Sequence, residues 1–274
     1  MPTASARPVD QLPYALDHLS EISNRRVGKN PALFLDFDGT LSPIVENHED
    51  AELAEGMADL LDRLTSQPFL VSIVSGRGLA DVKKRVGREG LYYAGSHGFE
   101  IEGPQGLQKQ QDEAADSLPE IEQAETELKE KLKKIEGVRF ERKKFSVAIH
   151  YRKVAENRVA EVEDTIKKVV QDKNKIQMGF GKKIIELTPN LDWHKGRAVN
   201  WLLQTLTHSD QKVLPIYIGD DITDENAFRS LQGLGLGFLV GTHGQNTYAD
   251  YALRDIEEVK QFLEFLIAKL EQDG

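Results

Sequence analysis

The chain has 274 residues, enough for one large domain or two moderate ones, and its 39% hydrophobic and 29% charged content is that of a soluble globular protein. A net charge of −10, from 35 basic and 45 acidic residues, argues against nucleic acid or an anionic membrane as the main partner. Cysteine is absent, no apolar run reaches the roughly 18 residues of a membrane span, and the polar start Met1–Gln11 lacks a secretory layout, so a cytoplasmic setting is expected.

Residues 1–30 read as a helical lead-in, with Tyr14, Leu16, Leu19 and Ile22 at roughly helical spacing. Ala32–Phe37 is too uniformly apolar for a half-exposed strand and predicts a buried one. It runs into Asp36-Phe37-Asp38-Gly39-Thr40. Side chains two apart on a strand point the same way, so Asp36 and Asp38 can converge on one site. Ionised carboxylates are costly there unless a metal or strong donors compensate. Taken alone, the five residues also fit a strand entering a turn, with the aspartates serving backbone donors. A helix near Ala54–Thr65, a strand Phe69–Val74, a helix Leu79–Val86 and a strand Leu91–Ala94 follow. This alternation predicts a parallel sheet with helices on both faces, a doubly wound α/β core. Phe99–Glu102 then pairs with Leu107–Lys109 across Gly103-Pro104-Gln105-Gly106.

Near residue 110 the pattern changes. Ser117-Leu118-Pro119-Glu120 has the form of a capping box, and Ile121, Ala124, Leu128, Leu132 and Ile135 form one apolar stripe behind it. Strands Val138–Arg142 and Phe145–Arg152, a helix carrying Val159, Val162, Ile166 and Val169, and a hairpin Ile176–Phe180 with Lys183–Leu187 complete a helix-strand-strand unit made twice. Lys182 and Lys183 read as solvated. The division expected is 1–109 for the first part of the core, 110–188 for an inserted α+β domain, and 189–274 for the return, with Thr188-Pro189-Asn190 as linker. The return holds a helix Lys195–Thr207, a strand Val213–Ile218 ending in Gly219-Asp220-Asp221-Ile222-Thr223-Asp224-Glu225, a strand Gly235–Val240, and a terminal helix striped by Val259, Phe262, Leu263, Leu266 and Ile267.

Four segments therefore sit at the ends of predicted core elements: Asp36-Phe37-Asp38-Gly39-Thr40, Ser75-Gly76-Arg77, His194-Lys195-Gly196 and Gly219 through Asp224. Lys195 opens a helix, where the dipole gives a cation no reason to sit, so a phosphate or carboxylate partner is expected. Arg77 either pairs with a carboxylate or reaches the site, and its place after Ser-Gly favours the site. His97 beside Gly98 either completes a turn or touches substrate.

In order and context the four segments resemble the haloacid dehalogenase superfamily of phosphotransferases. The resemblance implies a haloacid dehalogenase-like core with an inserted cap, and a carboxylate nucleophile that splits a very slow hydrolysis into two steps. Asp36 would be the nucleophile and Asp38 the general acid and then base. Mg²⁺ would be held by Asp36, Asp220 and the Asp38 backbone carbonyl, with Asp221 or Asp224 on its water. Ser75, Gly76, Arg77 and Lys195 would grip phosphoryl oxygens.

The surrounding residues narrow this further. Val74-Ser75-Gly76-Arg77, Ala94 through Glu100, Glu141-Arg142-Lys143-Lys144 leading to His150-Tyr151-Arg152, Glu186 through Gly196, and Ile218 through Glu225 are similar to the trehalose-6-phosphate phosphatase family over about residues 30–250. In that family the inserted unit closes over the sugar. The resemblance implies sugar contacts from Glu141, Lys143 and Glu186, with Arg142 a second basic candidate and His97 a further contact. Where the family has an acidic or amide residue before Lys-Gly, this chain has His194. The expected partner is a small sugar phosphate; nothing in the sequence specifies an oligomeric state. The rivals are a sucrose-phosphate or other sugar-phosphate phosphatase, a phosphomutase, and a catalytically silent sugar-phosphate sensor. The intact acidic pair and lysine speak against the last.

Overall fold

A computed structural model describes residues 5–181, 183–207, 212–244 and 246–273; Lys182 lies outside them. The chain forms two compact units, residues 1–109 with 193–274, and residues 110–192.

In the first unit an eight-stranded sheet runs in the order Tyr251–Leu253, Leu236–Val240, Val213–Gly219, Asn30–Leu35, Leu70–Val74, Tyr92–Gly95, Glu100–Glu102, Gln108–Gln110. From Tyr251–Leu253 to Tyr92–Gly95 every neighbouring pair is parallel. Strand Asn30–Leu35 lies between the strand that precedes Asp220 and the strand that precedes Ser75. That is where the strand order reverses, the point at which open α/β sheets bind ligands beyond their carboxyl ends. The strand holds its place because both its faces are buried. Leu33 and Leu35 pack with Met57, Leu61, Val82, Phe262 and Leu266 on one side. Ala32 and Phe34 pack with Ala198, Leu202, Tyr217 and Phe228 on the other. A fully buried Leu or Phe contributes about 1.5–3 kcal/mol, so the pair of layers fixes the strand and the acidic turn after it.

Two expectations for this unit change, and one strand is new. The lead-in is helical only over Leu19–Arg26; before it come a short strand Arg7–Pro8 and two 3₁₀ turns. Tyr14 makes a bridge to Ala252 in place of joining a helical stripe, so sheet pairing overrides the local spacing. The edge strand Tyr251–Leu253 is too short to announce itself in sequence, yet it closes that side of the sheet.

The second unit is a four-stranded antiparallel sheet in the order Arg139–Arg142, Val147–His150, Ile184–Pro189, Ile176–Gly181. Helices Leu118–Leu132 and Glu156–Val170 cover one face through Ile121, Leu128, Val162 and Ile166, which meet Ile149, Ile185 and Leu187. Alternation then places Glu141, Ala148 and Glu186, paired in one register row, on the other face. The Ser117 side chain makes no capping hydrogen bond, and Glu120 accepts from the Lys175 N–H at 3.0 Å, so the expected capping box does not form. Thr188 and Pro189 extend the last strand, so they are not the linker expected there.

Candidate active site

Asp36 follows the last residue of the central strand and is 4% exposed. Its backbone N–H continues the sheet by donating to the Ile218 carbonyl at 2.9 Å. Lys195, 2% exposed at the start of helix Lys195–Leu206, donates to Asp36 Oδ1 at 2.8 Å and to Asp224 Oδ1 at 2.7 Å. The predicted anionic partner of Lys195 is thus a pair of aspartates. Carboxylate oxygens of Asp36, Asp220 and Asp224 all lie within 4.8 Å of one another.

Two glycines permit this crowding. Gly39 has φ +76°, and a Cβ there would stand 2.1 Å from Asp220 Oδ2. A Cβ on Gly196 would stand 2.2 Å from the Asn226 carbonyl oxygen, so only glycine lets the lysine-bearing helix seat against the next one.

Asp224 is a hub. Its Oδ1 also accepts from the Tyr217 hydroxyl at 2.6 Å, and its Oδ2 accepts the backbone N–H groups of Asp220 and Asp221 at 3.1 and 2.9 Å. With four donors already on it, Asp224 braces the lysine and the acidic loop, and it stands within the same carboxylate cluster as Asp36 and Asp220. Tyr217 was not singled out in the sequence because it reads as one more apolar strand residue. Asp221 is exposed and accepts from Ile222 N–H at 2.7 Å, within a capping box shared with Asp224. That box, rather than the one expected at Ser117, is the one that forms.

The electrostatics are unbalanced. Burial pushes the Asp36 carboxyl well above its ordinary value; Lys195 opposes that, and Asp224 and Asp220 add to it. Burial and the repulsion of Asp224 push Asp220 up to about 7. Burial works against the charge on Lys195, but Asp224 and Asp36 outweigh it and hold the ammonium charged. Three carboxylates thus crowd around Lys195, Asp36 and Asp224 buried and Asp220 half-buried. An all-oxygen donor set with uncompensated charge suits a hard cation, and Asp36 with Asp220 are the residues that would hold one.

Beside this cluster, Asp38 is bound by Arg77. Nε donates to Asp38 Oδ2 at 2.7 Å and Nη2 to Oδ1 at 2.6 Å, while Nη1 reaches Asp81 Oδ2 at 2.9 Å and His48 Nδ1 at 3.0 Å. All three guanidinium nitrogens therefore have side-chain partners, so of the two readings of Arg77 the pairing with carboxylates is the one seen in this structure. Ser75 Oγ accepts from the Arg77 N–H at 3.1 Å, which leaves its own proton to donate. His97 packs its ring on Gly76, where a Cβ would stand 2.8 Å from Cε1. Ser96 and His97 both take positive φ, 50° and 58°, a conformation that costs non-glycine residues energy and is concentrated at functional sites. His194 Nδ1 accepts from Arg197 N–H at 3.3 Å, so this residue caps the lysine-bearing helix.

In the second unit, Glu186 Oε1 accepts from Lys143 Nζ at 2.9 Å and Ser146 Oγ at 2.7 Å, and His150 Nε2 lies 2.9 Å from Glu141 Oε2. Arg142 is separated from this group. It points to Glu125 and Glu122 of the covering helix, at 3.5 and 3.8 Å, as strand alternation requires of the residue after Glu141. The expectation of a substrate contact from Arg142 is corrected accordingly.

The sequence profile of the family described as trehalose-phosphatase matches residues 34–257. Over 260 residues the chain is 41% identical to the trehalose-phosphate phosphatase of Mycobacterium tuberculosis (strain H37Rv), covering 94% of this chain and 66% of that relative. It is 40% identical over 264 residues to the probable trehalose-phosphate phosphatase C of Arabidopsis thaliana, covering 93% of this chain and 82% of the other. The C-terminal domain of C. albicans trehalose-6-phosphate phosphatase shares the fold, with a TM-score of 0.79 at 24% identity over 94% of this chain and 99% of that one. The chain spans just under two thirds of the mycobacterial relative's length.

Proposed function

Because the chain belongs to the trehalose-phosphatase family, we propose that it hydrolyses trehalose 6-phosphate to trehalose and phosphate, with the phosphoryl group carried in between on Asp36. The observation that carries this reading is Asp36 itself, a buried carboxylate at the end of the central strand with one oxygen held by Lys195. An Asp36 oxygen attacks phosphorus, and the bond from phosphorus to the sugar oxygen breaks. Asp38 gives its proton to the departing alkoxide, then takes one from the water that cleaves the aspartyl phosphate. The Ser75 hydroxyl and the Gly76 N–H hold phosphoryl oxygens, and Lys195 keeps Asp36 aligned and offsets developing charge. His97 shapes that loop from behind Gly76.

Mg²⁺ is the cation we assign to Asp36, Asp220 and the Asp38 carbonyl; when bound it supplies charge neutralisation for the incoming dianion. Glu141, Lys143 and Glu186 are assigned to the sugar hydroxyls. Each glutamate is oriented by a neighbouring donor, which supports a recognition role. Phosphate release from trehalose 6-phosphate, with and without Mg²⁺, tests the assignment. Turnover should require the metal and disappear in Asp36→Asn. Release from another phosphosugar but not from trehalose 6-phosphate would overturn the substrate; an active Asp36→Asn would overturn the nucleophile.

A further inference from the structure

Arg77 is among the most deeply buried charged side chains of the first unit, 2% exposed, and everything around it holds it still. Its guanidinium stands over the Phe37 ring at 5.3 Å, and Phe37 is itself fully buried between the two motif aspartates. Its Nη1 is fixed by Asp81. Asp81 in turn takes Arg85 Nε on both oxygens, at 2.9 and 3.0 Å. Arg85 closes the set by donating to the carbonyls of Glu49 and Ala51 at 3.0 and 2.6 Å. Helix Leu79–Val86 carries both Asp81 and Arg85 one turn apart, so the two act as a single brace.

Asp38 differs from its partner. Its side chain is 39% exposed, against 1% for that of Arg77. A planar fork on both carboxylate oxygens is a specific, directional contact that a lysine cannot make. Arg77 donates to both oxygens of an ionised Asp38, so to act as the acid Asp38 must take a proton from solvent on one oxygen and turn that O–H away from the fork toward the departing oxygen. The aspartate is the part that can move, and the arginine is the fixed post to which it returns.

We propose that Asp81, acting through Arg77, is a positioning residue for proton transfer by Asp38. The inference rests on the reading of Asp38 as the acid and base given above, and it adds Arg77, Asp81 and the Arg85 brace to the machinery of the reaction. Asp81 touches neither substrate nor metal. Burial works to raise its carboxyl, but hydrogen bonds from Arg85 and Arg77 prevail and hold it below the ordinary range, as befits a fixed anion between two cations. Without that anion, Arg77 has only Asp38 and His48 to orient it, and the fork that aims Asp38 loosens.

A leaving group that needs a proton distinguishes this role from a structural one. The full chain with Mg²⁺ is mixed with phenyl phosphate or p-nitrophenyl phosphate, and release of the alcohol in the first turnover is followed. Nitrophenolate departs with little help; phenolate needs the acid. General acid catalysis is worth about 10²–10⁴-fold, so partial loss of its aim in Asp81→Asn should slow phenyl phosphate about tenfold and p-nitrophenyl phosphate by less than about threefold. Asp81→Glu, which can still reach Arg77, should recover most of the difference. Arg77→Lys should reproduce the Asp81→Asn pattern, and it serves as the second variant if Asp81→Asn does not fold. An equal loss on both esters, or no loss on either, overturns the proposal. Neither ester contains a sugar, so failure of trehalose 6-phosphate as substrate would show separately.

Discussion

The two units handle buried charge in opposite ways. In the first, three aspartate carboxylates crowd around a single lysine, and burial with mutual repulsion pushes Asp36 and Asp220 upward. In the second, the row across the sheet gives each carboxylate its own donor: Lys143 and Ser146 for Glu186, His150 for Glu141. The first arrangement leaves negative charge uncompensated and suits a further cation. The second is already satisfied and offers oriented groups of fixed polarity. Chemistry needs stored electrostatic imbalance, whereas recognition of neutral hydroxyls needs preset hydrogen bonds, and the function proposed above would divide the two units along that line.

The largest break in this contrast comes from Lys195. Removing one partner of a buried ion pair costs about 3–5 kcal/mol, because the remaining charges keep their desolvation penalty. Lys195→Met should therefore melt far below the wild type and lose turnover by about 10²–10³-fold, the scale of an electrostatic stabiliser in a dry site. Thermal unfolding and phosphate release on the same sample check both parts. A variant that melts like the wild type would mean that the imbalance in the first unit is not real.

The next test concerns the cation proposed for the first unit. Asp36 and Asp220 have folded pKa values above the unfolded 3.8, with Asp220 at about 7. Between about pH 4 and 7 the folded state then binds more protons than the unfolded one, so their contribution to stability falls as pH rises through that window. The melting temperature of the metal-free protein should rise as pH is lowered from 8 to 6. Mg²⁺ competes with those protons, so its stabilisation should be greatest near pH 8 and shrink toward pH 6. At one hundred times its dissociation constant a ligand adds about 2.7 kcal/mol. For a chain of this size that is a shift of roughly 5–10 °C. Asp220→Asn should flatten both trends; an unchanged pH slope in that variant would place the proton uptake elsewhere.

Much of this contrast was legible in the sequence, for identifiable reasons. Asp36, Asp38, Lys195 and Asp220 are polar residues at the ends of apolar elements, and the sheet has to bring such ends together. The sequence places Asp224 beside the acidic cluster but not its bracing role, because that role depends on Tyr217, whose hydroxyl is silent in a hydrophobic pattern. Arg77 was assigned to phosphate because its neighbours Ser75 and Gly76 point there. Its partners are Asp38 and Asp81, and Asp81 lies in the first turn of the following helix, where a charged residue looks solvated. The lead-in failed for a different reason: its apolar residues are spaced for a helix, but pairing of Tyr14 with Ala252 and of Arg7–Pro8 with Asn246–Thr247 decides its path.

The finest test lies within one strand. Glu141 and Arg142 are adjacent, yet a strand sends them to opposite faces, and the sequence left open which basic side chain meets the sugar. Lys143 pairs with Glu186, while Arg142 turns to Glu125 and Glu122, so Lys143 is the one proposed for the sugar. A hydrogen bond to a charged group is worth about 1.5–3 kcal/mol, so Glu186→Ala should raise KM for trehalose 6-phosphate about 10- to 100-fold and leave p-nitrophenyl phosphate nearly unchanged. Partly exposed ion pairs such as those of Arg142 contribute about 0–1 kcal/mol. Arg142→Ala should therefore change KM for either substrate by less than about twofold and lower the melting temperature only slightly. Should Arg142→Ala instead raise KM for the sugar as Glu186→Ala does, the face assignment of this strand would be reversed. The satisfied row of carboxylates would then belong to the packing of the second unit, not to its recognition surface.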